Sequence, residues 1–386
     1  RRHYKVVSLE HAIAAPCCTR QLADLGAPVI KVERPETGDF ARDYDTRARG
    51  LSSHFVWTNR FKESLALDLK NPQVLKELVA KADVLVQNLA PGAAERLGLG
   101  YDELSVHNPL LIVWDVSGYG RDGPLGDKKA YDLLVQGEAG FLSVSATPEQ
   151  PCKAGISIDD IAAGMFAYSS VLAALLQRNK TERGSRIDVS MLESLVEWMG
   201  FPMSYAYDDQ PAPPRSGASH ATIYPYGPFR AGDGKSVMLG LQNEREWKSF
   251  CEHVLLQPQL ARDPRFDVNP RRSENRAELQ RIIHECFAPL TAADVVARLQ
   301  KANIANARVN TVGELWGHPQ LAARDRLRSV VTPAGELRSM LPPAVHDGFD
   351  YRMDAVPAVG EHTQAILGEL GRSSDDIASL QAAGAI

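Results

Sequence analysis

The sequence is short of the features that mark membrane, disulfide-bonded and metal-dependent proteins. No stretch reaches the roughly 18 apolar residues of a bilayer span without polar interruption. The run Arg1-Arg2-His3-Tyr4-Lys5-Val6-Val7 leads straight into an expected strand and carries no apolar h-region of a secretory signal. Cysteine is scarce: Cys17, Cys18, Cys152, Cys251 and Cys286 are odd in number and show no CxxC spacing. That excludes a disulfide framework or zinc ribbon and points to a reducing, cytoplasmic compartment. The 10 histidines contain no HExxH pair, so no metal is expected. Positive charge is not concentrated either: 43 Lys and Arg oppose 48 Asp and Glu, a net charge of −5, which argues against nucleic acid as a partner. Internal repeats and low-complexity tracts are absent. What remains is a chain of 386 residues with ordinary apolar content, long enough for two domains.

The first 120 residues alternate strand and helix patterns. Val6–Leu9 is followed by a helix from Pro16 to Gly26, with Pro near its start and Gly at its stop. Val29–Glu33 and Ser64–Leu69 read as strands. Asn71-Pro72 opens a helix to Ala82, Asn at the cap and Pro at the first position. Val84–Val86 is a buried strand, then a helix runs from Pro91 to Leu97, and Leu110–Val116 is another strand. This alternation predicts an α/β fold with a parallel sheet covered by helices on both faces. Ligands of such sheets bind beyond the carboxyl ends of the strands. The loops there, with Arg34, Lys70, Arg96 and Lys129 in or near them, carry cations able to hold phosphates.

Two nucleotide motifs fail on context. Gly118-Tyr119-Gly120-Arg121-Asp122-Gly123 matches GxGxxG after a strand, but Pro124-Leu125-Gly126 follows instead of a helix, leaving a pyrophosphate no helix amino terminus. Gly234-Lys235-Ser236 resembles the end of a P-loop, yet Phe229 stands where the first glycine is required; Asp233-Gly234 is better read as a hairpin turn.

Further along, Arg186–Met191 reads as a strand and Leu192–Met199 as a helix. The Pro-rich stretch 205–219 reads as a linker. A smaller α+β unit follows, with a hairpin over 229–239, helices over 245–255, 275–287 and 292–302, and a strand at 307–309. A second polar stretch leads to a hairpin at Thr332–Gly335, and a last helix, His362–Leu370, is expected to return to the first domain. The resulting division is 1–202 large domain, 203–221 linker, 222–318 small domain, 319–342 linker, and 343–386 large domain again.

The chemistry centres on Lys129 to Met165. Asp160 opens an apolar segment, Ile161–Leu176, that reads as a mostly buried helix. A carboxylate in its first turn meets the positive end of the helix dipole, which favours the ionised form. By spacing alone, Asp159 or Asp160 is either a helix cap or a nucleophile toward an acyl group.

Several stretches, taken in order, resemble the family III CoA-transferases, which include formyl-CoA transferase, carnitine CoA-transferases and α-methylacyl-CoA racemase. They are Leu25-Gly26-Ala27-Pro28-Val29-Ile30-Lys31-Val32-Glu33-Arg34-Pro35 with Gly38-Asp39; Asn59-Arg60-Phe61-Lys62 with Leu67-Asp68-Leu69-Lys70; Ala82-Asp83-Val84-Leu85-Val86-Gln87-Asn88 with Pro91-Gly92-Ala93; Ser117-Gly118-Tyr119-Gly120; the Asp160 stretch; and His220-Ala221-Thr222-Ile223-Tyr224-Pro225-Tyr226. The resemblance covers nearly the whole chain. It implies a Rossmann-like large domain built from both ends of the chain, a smaller α+β domain, and an interlocked, ring-like homodimer. CoA enters as a substrate, and no tightly bound cofactor is implied.

The resemblance places Arg34 beside the adenine, and Leu67, Lys70, Asn88, Leu89, Arg96 and Lys129 around the ADP and phosphates. It places His11, Ala12 and Tyr131 near the thioester, and makes Asp160 the nucleophile, since it is the acid followed by three residues and Gly164-Met165. Attack on an acyl-CoA gives a mixed anhydride, then an aspartyl-CoA thioester that an incoming acid resolves. An unperturbed Asp, with a pKa of about 3.9, is already ionised for this at neutral pH. Racemases of the group carry His-Asp where this chain has Tyr131-Asp132, and Tyr accepts protons poorly at pH 7, so transfer is favoured over the alternative, an α-methylacyl-CoA racemase. The other alternative is a CoA-ester-binding protein without turnover. Oxalate-directed members carry a glycine run where this chain has Gly240-Leu241-Gln242-Asn243-Glu244-Arg245-Glu246-Trp247, which makes oxalate a poor acceptor. The stretch resembles members using succinyl-CoA and itaconate, citramalate or glutarate, with Gln242, Arg215 or Arg245 meeting a distal carboxylate.

Overall fold

The computed structural model describes residues 4–70 and 72–386. They form two compact units: one from the described residues within Arg1–Ala139, Ala154–Gly200 and Gln320–Ile386, the other from Gly140–Lys153 and Phe201–Pro319. The segment 140–153 therefore groups with the smaller unit. Arg215 holds it there, donating to the carbonyls of Thr147 at 2.9 Å and Pro148 at 2.5 Å. The range 319–342, read as a linker, carries a paired hairpin.

The first unit is built on a six-stranded, all-parallel sheet in the order β3-β2-β1-β4-β5-β6. The strands are β1 (Val6–Leu9), β2 (Val29–Glu33), β3 (Glu63–Ala66), β4 (Val84–Gln87), β5 (Ile112–Ser117) and β6 (Arg186–Ser190). β1, β2 and β4 are buried along their whole length, as expected where helices cover both faces. Alternate residues feed two separate cores. Val6, Val84, Ile112 and Trp114 meet α1 (Ala14–Asp24) on one face, while Val7, Leu9, Ile30, Leu85 and Val113 meet the helix Pro72–Ala80 on the other. The Asn71 cap expected for that second helix lies outside the described residues.

Two more helices cover the first face: α2 (Asp132–Glu138) and the 24-residue α3 (Ile158–Thr181). By length and composition α3 could cross a bilayer. Its apolarity serves a core role here: Ala162, Ala163, Ala167, Val171 and Leu175 are buried, and glycine at 164 lets α3 approach α1 closely. A Cβ at that position would stand 2.7 Å from the carbonyl oxygen of Ala14. The carboxyl end is fixed by Arg178, which donates to Asp83 Oδ1 at 3.1 Å and to the Leu110 carbonyl at 3.0 Å.

Among the described residues, three helices of seven residues or more lie outside those read in the sequence: α2 itself, Tyr101–His107 and α5 (Ser374–Ala382), so His362–Leu370 is not the last; shorter helices such as Ser53–Thr58, Gly200–Tyr205 and Asn269–Glu274 lie outside them too. The segment read there contains α4 (Thr363–Glu369), which groups with the first unit. The Thr363 hydroxyl and His362 Nδ1 accept the N–H groups of Ala66 and Ser64 on the edge strand β3.

The second unit holds an antiparallel sheet, β7 (Tyr226–Arg230), β8 (Ser236–Gly240) and β9 (Ala305–Arg308), over an aromatic core of Phe229, Trp247, Phe250, Phe266 and Phe287. The turn between β7 and β8 places Gly234 at φ 81°, so Gly234-Lys235-Ser236 is a hairpin and Phe229 is core. Back in the first unit, β10 (Leu327–Thr332) and β11 (Gly335–Met340) form the expected second hairpin.

That hairpin is tied to α1 through Arg60. Its guanidinium grips the Asp24 carboxylate with two 2.7 Å bonds, both side chains 1% exposed, and also bonds Ser339 Oγ and the Met340 carbonyl. Asp24→Ala would leave that cation buried and unpaired. We expect a loss of about 3–5 kcal/mol in urea unfolding, with Asp24→Asn losing less.

Candidate functional site

The carboxyl ends of the strands gather most of the residues singled out in the sequence. β1 runs into Glu10-His11-Ala12, β2 into Arg34, β3 into Leu67–Lys70 and β4 into Asn88-Leu89. β1 and β4 are neighbours although two strands separate them in sequence, which makes their junction the crevice where open α/β sheets place ligands. There the Asn88 amide clasps the main chain of His11. Its Oδ1 accepts the His11 N–H at 2.9 Å, and its Nδ2 donates to the His11 carbonyl at 2.9 Å. The Asn88 side chain is thus committed to fixing the loop.

The other side of the same loop rests on a buried ionic network. Glu10 accepts Lys62 Nζ at 2.7 Å and Thr19 Oγ1 at 2.7 Å. Lys31 Nζ donates to Asp39 Oδ2 at 2.8 Å and to the Glu10 carbonyl at 3.2 Å. Asp39 Oδ1 accepts the N–H of Ala12 at 3.4 Å and of Ala41 at 2.9 Å. Glu33 receives Arg42 in a fork and Ser64 Oγ at 2.5 Å. Burial alone would raise the Glu10 carboxyl, but Lys62 and Lys31 hold it below its usual range. Burial pushes Lys62 down to about 8 against the pull of Glu10. Held from both sides, Ala12 sits at φ 60°, a left-handed conformation that alanine adopts only where surroundings impose it.

His11 stacks on Phe40 at 5.4 Å between ring centroids, Phe40 meets Tyr44 at 5.8 Å, and Tyr44 meets His54 edge-on. Burial lowers the His11 pKa, so the ring is neutral at pH 7. Burial, with the charges of Asp39, Asp160 and Tyr131, raises the Tyr44 hydroxyl to about 12. Asp160 and Tyr131 thus lie close enough for their charges to act on the Tyr44 hydroxyl.

Tyr131 is 68% exposed and precedes α2. Its neighbour Ala130 lies against Gly118, just past β5, where any Cβ would collide with that of Ala130. This contact brings Lys129, Ala130 and Tyr131 to the sheet's carboxyl edge. Arg34, Lys70, Arg96 and Lys129 are all exposed. Leu67 differs: its side chain is 1% exposed and belongs to the core, leaving only its main chain to offer. Leu89 is partly buried against that core. Gln242 lies in the second unit, exposed, with its N–H bonded to Glu246 at 2.7 Å. Arg215 is occupied by the carbonyls of Thr147 and Pro148.

Asp159 and Asp160 stand in the first turn of α3, but neither caps it. The capping oxygen comes from α2: Asp132 Oδ1 accepts the N–H of Asp159 at 2.9 Å and of Asp160 at 3.3 Å. Gln136 donates to Asp132 Oδ2 at 2.6 Å and accepts the N–H of Ala154 at 2.9 Å. Sequence reasoning passed over Gln136; its spacing of four from Asp132 was the available signal. The expectation of an ordinary, fully ionised Asp160 is corrected. Burial and the charge of Asp132 raise it to about 7. Asp159 is fully buried, and neither carboxylate oxygen has a hydrogen-bond partner among the described residues. Burial, then Asp160 and Asp132, raise it to about 8. Desolvation and like charge outweigh the helix dipole because Asp132 already occupies the free N–H groups.

The profile of CoA-transferase family III matches residues 2–363. A succinyl-CoA:glutarate CoA-transferase from Homo sapiens is 31% identical over 392 residues, covering 99% of this chain and 89% of its own length. An acetyl-CoA:oxalate CoA-transferase from Acetobacter aceti is 35% identical over 327 residues, covering 83% of this chain and 84% of its own length. The crystal structure of a CaiB/BaiF family protein from Brucella suis matches with a TM-score of 0.82 at 30% identity, covering 95% of this chain and 98% of that one.

The buried Asp159 makes stability depend on pH. The unfolded chain releases this proton near 3.8, whereas the folded chain keeps it to about 8. Between those limits the folded state binds more protons, so this residue's contribution falls as pH rises and levels off above about 8. In urea unfolding at pH 5 and pH 8, Asp159→Asn should lose less stability over that interval than the wild type, whatever constant cost the amide adds.

Proposed function

The chain belongs to CoA-transferase family III, and on that premise we propose that it moves CoA from a donor thioester, succinyl-CoA, to a short carboxylic or dicarboxylic acid of the glutarate, itaconate or citramalate type. The observation that carries the mechanism is the position of Asp160: first turn of α3, half-buried, with its main chain held by Asp132 and no donor on its carboxylate among the described residues.

An Asp160 oxygen attacks the thioester carbonyl carbon; the C–S bond breaks and CoA leaves as thiolate, giving an acyl–aspartyl anhydride. The thiolate attacks Cγ of Asp160, expelling the donor acid as carboxylate and forming an aspartyl-CoA thioester. The acceptor carboxylate then attacks the same Cγ and frees the thiolate. The thiolate attacks the acceptor's acyl carbon, and Asp160 departs as carboxylate. No proton or electron is gained or lost overall. Dividing one poor displacement into four exchanges is the purpose of the covalent route.

The cations Arg34, Lys70, Arg96 and Lys129 are proposed to meet the adenine end and phosphates of CoA. Leu67, Asn88 and Leu89 contribute through the main chain or by fixing the loops, since their side chains are occupied or buried. His11, Ala12 and Tyr131 are proposed to frame the thioester, a reading supported by the stacking of His11 on the row that leads to Tyr44, whose hydroxyl the charges of Asp160 and Tyr131 reach. For Gln242 the proposal rests on the sequence: an exposed amide offered to the acceptor acid. A homodimer is proposed in addition, supported by exposed apolar residues on α2 and α3 such as Leu133, Leu134, Met165 and Leu176. Five free cysteines support a cytoplasmic setting.

Intact mass after mixing with succinyl-CoA, with hydroxylamine trapping and peptide mapping, should place a labile adduct on Asp160. Asp160→Asn should show none and lose about a thousandfold or more in turnover. An acceptor panel of glutarate, itaconate, citramalate and oxalate, with acetyl-CoA as second donor, then identifies the acid. No adduct from any donor, together with exchange of the α-proton with solvent, would replace this reading by the racemase.

A further inference from the structure

The amino end of a long helix offers four unpaired N–H groups, and an acid in the first turn ordinarily takes them. In α3 two acids are present, yet the N–H groups of Asp159 and Asp160 go to a carboxylate 27 or 28 residues earlier in the chain. Ser157, at the cap position, makes no side-chain bond. Asp132 is itself held: Gln136, fully buried, donates to its second oxygen and with its own carbonyl oxygen ties down the N–H of Ala154. The chain Ala154, Gln136, Asp132, Asp159–Asp160 thus locks the approach to α3 onto α2. No hydrogen-bond donor reaches the Asp160 carboxylate among the described residues.

We propose that Asp132 is a positioning residue for Asp160: by filling the amino end of α3 with its own charge, it fixes the nucleophile's main chain while denying its carboxylate the helix donors that would quench it. This rests on the assignment of Asp160 as nucleophile. A carboxylate without donors, beside another negative charge, is more basic and so a stronger nucleophile. The same repulsion disappears once Asp160 is acylated, because anhydride and thioester are neutral. Asp132 therefore favours the covalent states over the free carboxylate, just as it favours the protonated one.

The other ionisable groups that sense Asp160 are Asp159 on the same helix, Cys17 on α1 and Tyr44. Burial keeps Cys17 and Tyr44 neutral through the working range, and it also holds Asp159 protonated up to about 8. Asp132 is then the charge whose removal Asp160 should register.

The test is the pH dependence, from pH 5 to 9, of single-turnover adduct formation from succinyl-CoA, followed by intact mass, in the wild type and in Asp132→Asn. Asparagine keeps an oxygen for the two N–H groups and removes the charge. The acid limb of adduct formation, expected near pH 7 in the wild type, should move down by one pH unit or more, and the plateau rate should fall about tenfold or more. Asp132→Glu should restore a limb near neutrality. Should Asp132→Asn fail to fold, Asp132→Thr is a second neutral cap and is read in the same way. An unmoved limb and plateau in a folded neutral variant would overturn the proposal, since a merely structural cap changes stability and leaves both in place. If the wild type forms no adduct on Asp160, the nucleophile assignment falls, and this proposal with it.

Discussion

Six charges sealed beneath the carboxyl ends of β1, β2 and β3 set the geometry of everything around them. Glu10, Glu33 and Asp39 oppose Lys31, Lys62 and Arg42, and all but Arg42 are buried to 4% exposure or less. Taking such groups out of water is costly unless every partner is present with good geometry. The network therefore leaves little freedom to shift one strand end relative to another. Asp39, through the N–H of Ala12, and Lys31, through the Glu10 carbonyl, grip the loop that carries His11 and Ala12, while Asn88 grips it from β4. A strained Ala12 is tolerated because the loop is over-determined.

The second anchor is α3, which is fixed at both ends by charges of opposite sign. Asp132 meets its positive end and Arg178 its negative end, each from or to an element distant in sequence. Between the two anchors Gly164 removes the last spacer, so α3 lies directly on α1. The helix bearing the proposed nucleophile and the loop proposed to face the thioester are thereby held to one scaffold. Preorganisation of this kind is what reactions of a weak nucleophile require, since little binding energy remains for ordering the site.

The parallel sheet was legible because strands buried on both faces read as short apolar runs between helical patterns, and the two hairpins were legible from their Gly-containing turns. Three helices of seven residues or more among the described residues were not, nor were several shorter ones. After Asp132, α2 continues with Leu133-Leu134-Val135, three apolar residues in a row that show no helical period, and Tyr101–His107 is only seven residues long. α5 did carry a signal, the capping box of Ser373 and Asp376, which the structure forms. Asp160 was singled out through the pattern around it, and the strand-end loops through their position. The raised pKa values of Asp159 and Asp160 could not be read, because they arise from burial and from Asp132, whose nearness is a property of the fold. Leu67 shows a different limit: its place in a motif says nothing of which way its side chain turns.

The edge strand β3 has its outward N–H groups taken by His362 and Thr363, and Asp68 just beyond it bonds to the carbonyl of Ala385. These partners lie about three hundred residues further along the chain, with the whole second unit encoded between them. During synthesis, β3 must wait with an open edge until that later stretch emerges, whereas most of the second unit is contiguous and can collapse as it appears. Assembly of this protein is then inside-out with respect to its chain: the inserted body forms early, and the sheet that carries the site is completed last. The interval in between is when an exposed strand edge is open to other chains, so chaperone dependence would follow from connectivity alone, with no weakness in the finished core.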